Sequence, residues 1–145
     1  MKQTFLPGDF DHSLDSKGRV TLPARYRSHF EDGVVLVRMP GQNPCLRVYH
    51  PDAWIEYDER YLSPLDLSDD NSDDSWKVRE IYQNMDRVEP DSSGRVLLPA
   101  QQIKELGFLN KVKIVGNRTY LEIWDPSVYQ DYAEAAKQRR GNSNV

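Results

Sequence analysis

The sequence predicts a mainly β protein with short helices, an α+β fold in which two copies of one small unit share a core. Three observations carry that expectation. The chain of 145 residues says one phrase twice, DSKGRVTLPA at 15–24 and DSSGRVLLPA at 91–100, at a constant offset of 76. The echo resumes where Leu46-Arg47-Val48-Tyr49-His50-Pro51 is answered by Leu121-Glu122-Ile123-Trp124-Asp125-Pro126, now at an offset of 75. Repetition at a fixed period marks one structural unit used more than once. Short β-branched or alternating apolar runs, bounded by Gly, Pro and Asp, then read as strands and turns. A unit of about 60 residues is marginal alone because so small a core offsets little chain entropy, so the copies are expected to fold together.

The elements follow in order. Phe5–Leu14 holds a Pro-Gly turn and then an alternation of polar and apolar residues that predicts a strand. Asp15 to Arg19 is a turn, in which Asp15 bonds its own backbone two residues on and Gly18 supplies a positive φ. Val20 to Leu22 returns as a short strand. Pro23 holds Leu22 extended and suits a first helical position, so a helix is expected from Ala24 to about Glu31, ending at Gly33. Val34–Val37 predicts a buried strand and Cys45–Tyr49 another. Pro51 opens a helix carrying Trp54, Tyr57 and Tyr61. The second copy repeats the order: turn 91–95, strand 96–98, helix 99–106 stopped by Gly107, strands 112–115 and 120–124, and a helix from Pro126. The tail from Gln138 to Val145 is polar and expected to fray.

The repeats are placed at 5–61 and 77–135, with a linker at 62–76. Ser63 to Ser75 holds five Asp and no base. It is expected to end by capping a short helix starting near Trp76, where acids oppose the positive end of the helix dipole. The Asp69-Asp70 and Asp73-Asp74 pairs lack the Gly and terminal Glu of a Ca²⁺ loop, so no metal site is expected.

The formal net charge of −4 is unevenly placed. Residues 51–75 carry nine acids against one base, a local −8, which leaves +4 on the other 120. Lys17, Arg19, Arg25 and Arg27 crowd the first turn and the residues just after it, against Asp15 alone. The pattern reads as a basic surface beside an acidic one, with an ordinary solvated charged face as the alternative. The single Cys45 precludes an internal disulfide and fits a reducing compartment. Met1 to Asp9 holds no apolar run of signal-peptide length, and no stretch approaches the ~20 apolar residues of a membrane span. A cytoplasmic protein with no membrane association is expected.

Catalysis needs a converging nucleophile, base and electrophile, or a metal. His12, His29 and His50 all fall in the first copy, without metal-ligand spacing, and Cys45 reads as a packed small residue. Each repeated turn has one Gly only, so no phosphate-binding Gly loop is present. No enzyme activity and no cofactor are expected. A strand–turn–strand ribbon with Lys17 and Arg19 at its apex instead suits the major groove, where Arg grips guanine O6 and N7 or a phosphate. The competing reading is that Asp15 and Arg19 merely pair across the turn. Both hold at once if Asp15 orients Arg19 toward a partner.

The run Asp-x-x-Gly-Arg-Val-x-Leu-Pro-Ala resembles the signature of AbrB-like swapped-hairpin DNA-binding domains. Two copies in one chain, opened by Phe5-Leu6-Pro7-Gly8-Asp9-Phe10-Asp11-His12-Ser13-Leu14-Asp15, resemble the MraZ transcriptional regulators over roughly residues 5–135. The resemblance implies a double-split β-barrel formed by two interleaved AbrB-like repeats, and a ring-shaped homo-oligomer. It implies a sequence-specific DNA-binding transcriptional regulator of the division and cell-wall gene cluster, nucleoid-associated, that binds short direct repeats of double-stranded DNA in its own promoter. Carried onto this chain, the DNA-contacting residues are Asp15 and Arg19 in the first copy and Asp91 and Arg95 in the second, with Lys17 as an added basic contact. Ser93 stands where Lys17 stands in the first copy, so the first tip is expected to dominate DNA contact. A protein-interaction scaffold using the acidic 51–75 face and an AbrB-like antitoxin are the alternatives.

Overall fold

A computed structural model describes residues 4–143 of the chain. The described residues form eight strands and four α-helices, in the order β1 (Asp9–Ser13), β2 (Arg19–Thr21), β3 (Val34–Val37), β4 (Leu46–Tyr49), α1 (Pro51–Tyr57), α2 (Asp73–Gln83), β5 (Met85–Val88), β6 (Arg95–Leu97), α3 (Ala100–Leu106), β7 (Lys111–Asn117), β8 (Tyr120–Trp124) and α4 (Pro126–Ser143). The α+β expectation holds.

The pairing of strands is what joins the copies. Six strands form one sheet in the order β1-β7-β8-β4-β3-β5, and β2 pairs with β6 in a separate two-stranded ribbon. Counterpart strands sit at mirrored places in the sheet: β1 and β5 at its edges, β7 and β3 inside them, β8 and β4 at the centre. Hence β1 pairs with β7, β5 with β3 and β4 with β8, each ladder antiparallel and each crossing between copies. The copies are interleaved, but the hydrogen-bonded sheet does not close into a barrel.

One face of the sheet (Val34, Leu36, Leu46, Val48, Val112, Ile114, Leu121, Ile123) packs against Val20 and Leu22 of the first copy and Val96 and Leu98 of the second. This is the shared core. On the other face, Val35, Val37 and Tyr49 pack with Trp54 of α1 and Ile81 of α2, and Trp124 meets Tyr129 and Tyr132 of α4. Gly116 of β7 lets the N-terminal segment cross at backbone distance. Its N–H donates to the Gly8 carbonyl at 2.8 Å, and a Cβ there would land on the Leu6 carbonyl oxygen.

Five local expectations are corrected. The strand–turn–strand ribbon expected around residues 15–19 does not form as a ladder within one copy: β1 pairs with β7 and β2 with β6, and among the described residues the Leu14–Val20 bridge alone joins the two strands across the turn, because each strand buries its apolar face against the other copy. The helix expected over Ala24–Glu31 is only a 3₁₀ turn, Ala24–Tyr26, followed by further turns. Tyr, Ser, His and Phe at 26 and 28–30 are weaker helix formers than the Gln, Lys, Glu and Leu at the matching places in α3, and burying Tyr26 and Phe30 needs no helix. The linker helix begins at Asp73, capped by Ser72, three residues before Trp76. Strand β5 was not expected, yet it lies where β1 falls when shifted by the repeat. The tail does not fray from Gln138, since α4 runs to Ser143; Asn144, Val145 and Met1 to Gln3 lie outside the described residues.

Candidate nucleic-acid interface

The two repeated turns are built alike, bond for bond. In the first, Asp15 Oδ1 accepts from the backbone N–H groups of Lys17 at 3.0 Å and Arg19 at 2.8 Å, and Gly18 takes φ +84°. In the second, Asp91 Oδ1 accepts from Ser93 and Arg95, both at 2.9 Å, and Gly94 takes φ +77°. A short acceptor that satisfies its own turn's donors is why Asp stands there, and the positive φ is why Gly follows.

The second carboxylate oxygen reaches the arginine. Arg19 Nε donates to Asp15 Oδ2 at 2.8 Å, and Arg95 Nε donates to Asp91 Oδ2 at 2.7 Å. These donations hold both carboxyls below the usual carboxylate range, the backbone N–H of Arg19 or Arg95 being the largest cause in each turn. The acids are therefore ionised at neutral pH. Each bond uses the Nε edge alone, and among the described residues no hydrogen bond engages the Nη groups of Arg19 or Arg95. Since guanidinium presents five donors in a rigid fork, each arginine is oriented by its aspartate with its outer donors uncommitted. Pairing across the turn and outward presentation of donors belong to the same side chain.

The ribbon links the two turns, one at each of its ends. In β2·β6, Arg19 lies opposite Leu97, Val20 opposite Val96 and Thr21 opposite Arg95. Directly opposed residues share a face, and alternation puts Val20 and Val96 in the core while Arg19, Thr21, Arg95 and Leu97 face outward. Strand geometry sets the two arginine Cα atoms about 8 Å apart on the diagonal. Arg19 and Arg95 thus share one outward face, with the turn of Asp15 and Lys17 at the end where Leu98 N–H donates to the Gly18 carbonyl and the turn of Asp91 at the end where Leu22 N–H donates to the Gly94 carbonyl. Thr21 and Leu97, the latter 54 % exposed, belong to the same face. Sequence reading passed over them, although the period-2 alternation of the repeated phrase was the signal that could have found them.

Among the described residues the other candidate groups converge only as far as His29 and His50, whose ring centroids lie 5.0 Å apart. His50 Nδ1 accepts from the Asp52 backbone N–H at 3.0 Å, capping α1. His29 lies edge-on to Phe30. Cys45 is buried, and burial pushes its thiol well above the ordinary value. Among the described residues no cluster of three or more His, Cys, Asp or Glu is placed to hold a metal, and no helix is long and apolar enough to cross a membrane. In the acidic segment, Asp66 accepts from Ser68, Asp69 from Asn71, and Asp73 and Asp74 occupy the first turn of α2. These are local turn and dipole roles.

The family model described as "MraZ protein, putative antitoxin-like" matches residues 5–74 and 81–144. The chain is 33 % identical to a "Transcriptional regulator MraZ" of Mycoplasmoides gallisepticum over 128 residues, which is 88 % of this chain and 87 % of that one. It is 36 % identical to the protein of the same name from Thermomicrobium roseum over 88 % of this chain and 86 % of the other. A relative from Moorella thermoacetica, again so named, is 36 % identical over 86 % and 84 %. On a doubled turn motif, a match along nearly its whole length and relatives at this identity, the chain belongs to the MraZ family.

Proposed function

We propose that this protein is a transcriptional regulator that binds double-stranded DNA sequence-specifically through the β2–β6 ribbon. Asp15, Lys17, Arg19, Asp91 and Arg95 form its contacting element. The observation that carries the reading is the placement of Arg19 and Arg95 on one outward face, each held through Nε alone. A two-stranded ribbon fits the major groove, and an oriented fork with free Nη groups suits guanine O6 and N7 or a phosphate. Lys17 adds a point charge for the backbone, and Leu97 an apolar contact of the kind a thymine methyl takes. The relatives' printed names support a regulatory rather than an enzymatic role.

The interleaved ladders support reading the fold as a double-split barrel, with the ribbon and the sheet as opposite walls around the core. The repeats run over 5–61 and 77–135 with the acidic linker at 62–76. One ribbon reads a short site, so the chain is read as a subunit of a ring-shaped homo-oligomer whose several ribbons engage short direct repeats in its own promoter. Linked sites raise the effective concentration of each further contact. The target is the division and cell-wall gene cluster, and the setting is the cytoplasm and nucleoid.

A titration of labelled duplex carrying the direct repeats upstream of the gene tests this. Arg19→Ala should weaken binding by roughly tenfold or more, the cost of losing a bidentate base contact. Unchanged affinity would overturn the reading.

A further inference from the structure

The two turns are not covered by the same residue. Position 27 of the first copy and position 103 of the second are repeat counterparts at the offset of 76, and they are Arg27 and Ile103. Each lies over the turn of the other copy. A methyl placed on Gly94 would sit 2.8 Å from both Cδ and Nε of Arg27, and one on Gly18 would sit 3.0 Å from Cδ1 of Ile103. Arg27 is seated by Nε, which donates to the Leu22 carbonyl at 3.4 Å, while the Leu22 N–H donates to Gly94 O at 2.9 Å. Arg27 is exposed, Gly94 is buried beneath its stem, and no acid among the described residues pairs with it.

This crossing bears on the charge of each tip. The first turn holds Lys17 and Arg19 against Asp15; the second holds Arg95 against Asp91, with Ser93 where Lys17 would stand. Counting turn residues alone, the first tip is net +1 and the second net zero. Adding the residue that covers each turn leaves the first at +1, since Ile103 is neutral, and raises the second to +1.

We propose that Arg27 is a nucleic-acid backbone contact of the second tip, supplying from the first copy the cation that Ser93 lacks. The second tip is then a composite site, Asp91 and Arg95 from one copy and Arg27 from the other, and the ribbon offers phosphate two balanced ends rather than one dominant one. The proposal rests on the DNA-binding reading of the ribbon. Its chemistry is a seated guanidinium with uncommitted Nη donors, suited to a phosphate oxygen.

The test compares the full-length protein with Arg27→Gln, Ser93→Lys/Arg27→Gln and Arg19→Ala. Binding is measured on the tandem-repeat duplex and on a mixed-sequence duplex of equal length, from 50 to 200 mM salt. Arg27→Gln should weaken binding to both duplexes by a similar factor, roughly tenfold for a lost charge-assisted contact. It should also shrink the slope of log affinity against log salt by about 0.9 per subunit engaged. Ser93→Lys in the Arg27→Gln background should restore the slope, since the cation returns to the same tip from the turn itself. Arg27→Gln with unchanged affinity and slope, while Arg19→Ala loses binding, overturns the role of Arg27 and leaves the ribbon reading intact. If the unaltered protein binds neither duplex, the ribbon reading fails and this one with it. If Arg27→Gln also lowers Tm, the double variant decides: a restored slope at the lowered Tm supports the contact, and an unrestored slope overturns it.

Discussion

Val20 lies directly opposite Val96 in the ribbon, and the two are repeat counterparts. The local two-fold axis that relates the copies therefore passes between them. At 0 % and 1 % exposure they hold the ribbon down on the sheet, and every outward residue of the ribbon takes its place from that contact. Val20→Ala and Val96→Ala should each cost about 2 kcal/mol in urea denaturation, the removal of two buried methyl-sized groups. Because the two side chains share one site, the double variant should depart from the sum of the singles by at least about 0.5 kcal/mol. Strict additivity would mean that they do not form one packing unit.

Asp15→Asn separates turn building from arginine orientation. The amide oxygen still accepts the Lys17 and Arg19 backbone donors, but the amide nitrogen cannot accept from Arg19 Nε. The turn should persist with little change in Tm, while the guanidinium is released. Affinity for mixed-sequence duplex should hold or rise, since one acid is gone. The ratio of repeat to mixed-sequence affinity should fall roughly tenfold. A preserved ratio would show that the aspartate does not aim the arginine.

Gly116→Ala tests the crossing of the N-terminal segment over β7. The added methyl meets backbone, the Leu6 carbonyl, which cannot rotate aside as a side chain would. Leu6 is wholly buried, so displacing it removes core as well. A loss of about 3 kcal/mol or more is expected from chemical denaturation, and a loss under about 1 kcal/mol would mean that the crossing is loosely held.

Two histidines give stability a mild pH dependence. Burial is the leading cause that lowers the pKa of both His12 and His29 from 6.5, so the unfolded chain takes up those protons first as pH falls. Their contribution is present above about pH 6.5 and is lost as pH falls through the lowered folded values. Tm should be level from pH 8 to 7 and decline between 6.5 and 5. His12→Gln/His29→Gln should flatten that decline, and an unaltered slope in the double variant would assign it to other groups.

The sequence alone was strongest where structure is local. The turn at Asp15 to Arg19, with its Asx bonding and positive-φ glycine, was legible because five consecutive residues determine it. So were the apolar run at Val34–Val37, the Pro-led starts of α1 and α3, and the stop at Gly107. The same local reasoning misjudged the helix after Pro23, where spacing alone could not distinguish one 3₁₀ turn from two α turns. It also passed over β5, whose Met85, Asp86, Arg87 and Val88 show no strand pattern of their own and are extended because β3 supplies the partner.

Which surfaces face one another was decided by tertiary structure. The doubled phrase determined, from residue identity alone, that two like turns exist and what each contains. It could not say that Arg19 and Arg95 share a face, because that depends on β2 pairing with β6 across 76 residues rather than within its own copy. Nor could it say that Arg27 crosses to the other copy's turn. Pairing between copies is set by where both can bury their apolar faces in one core, a property of the assembled chain that no window of sequence contains.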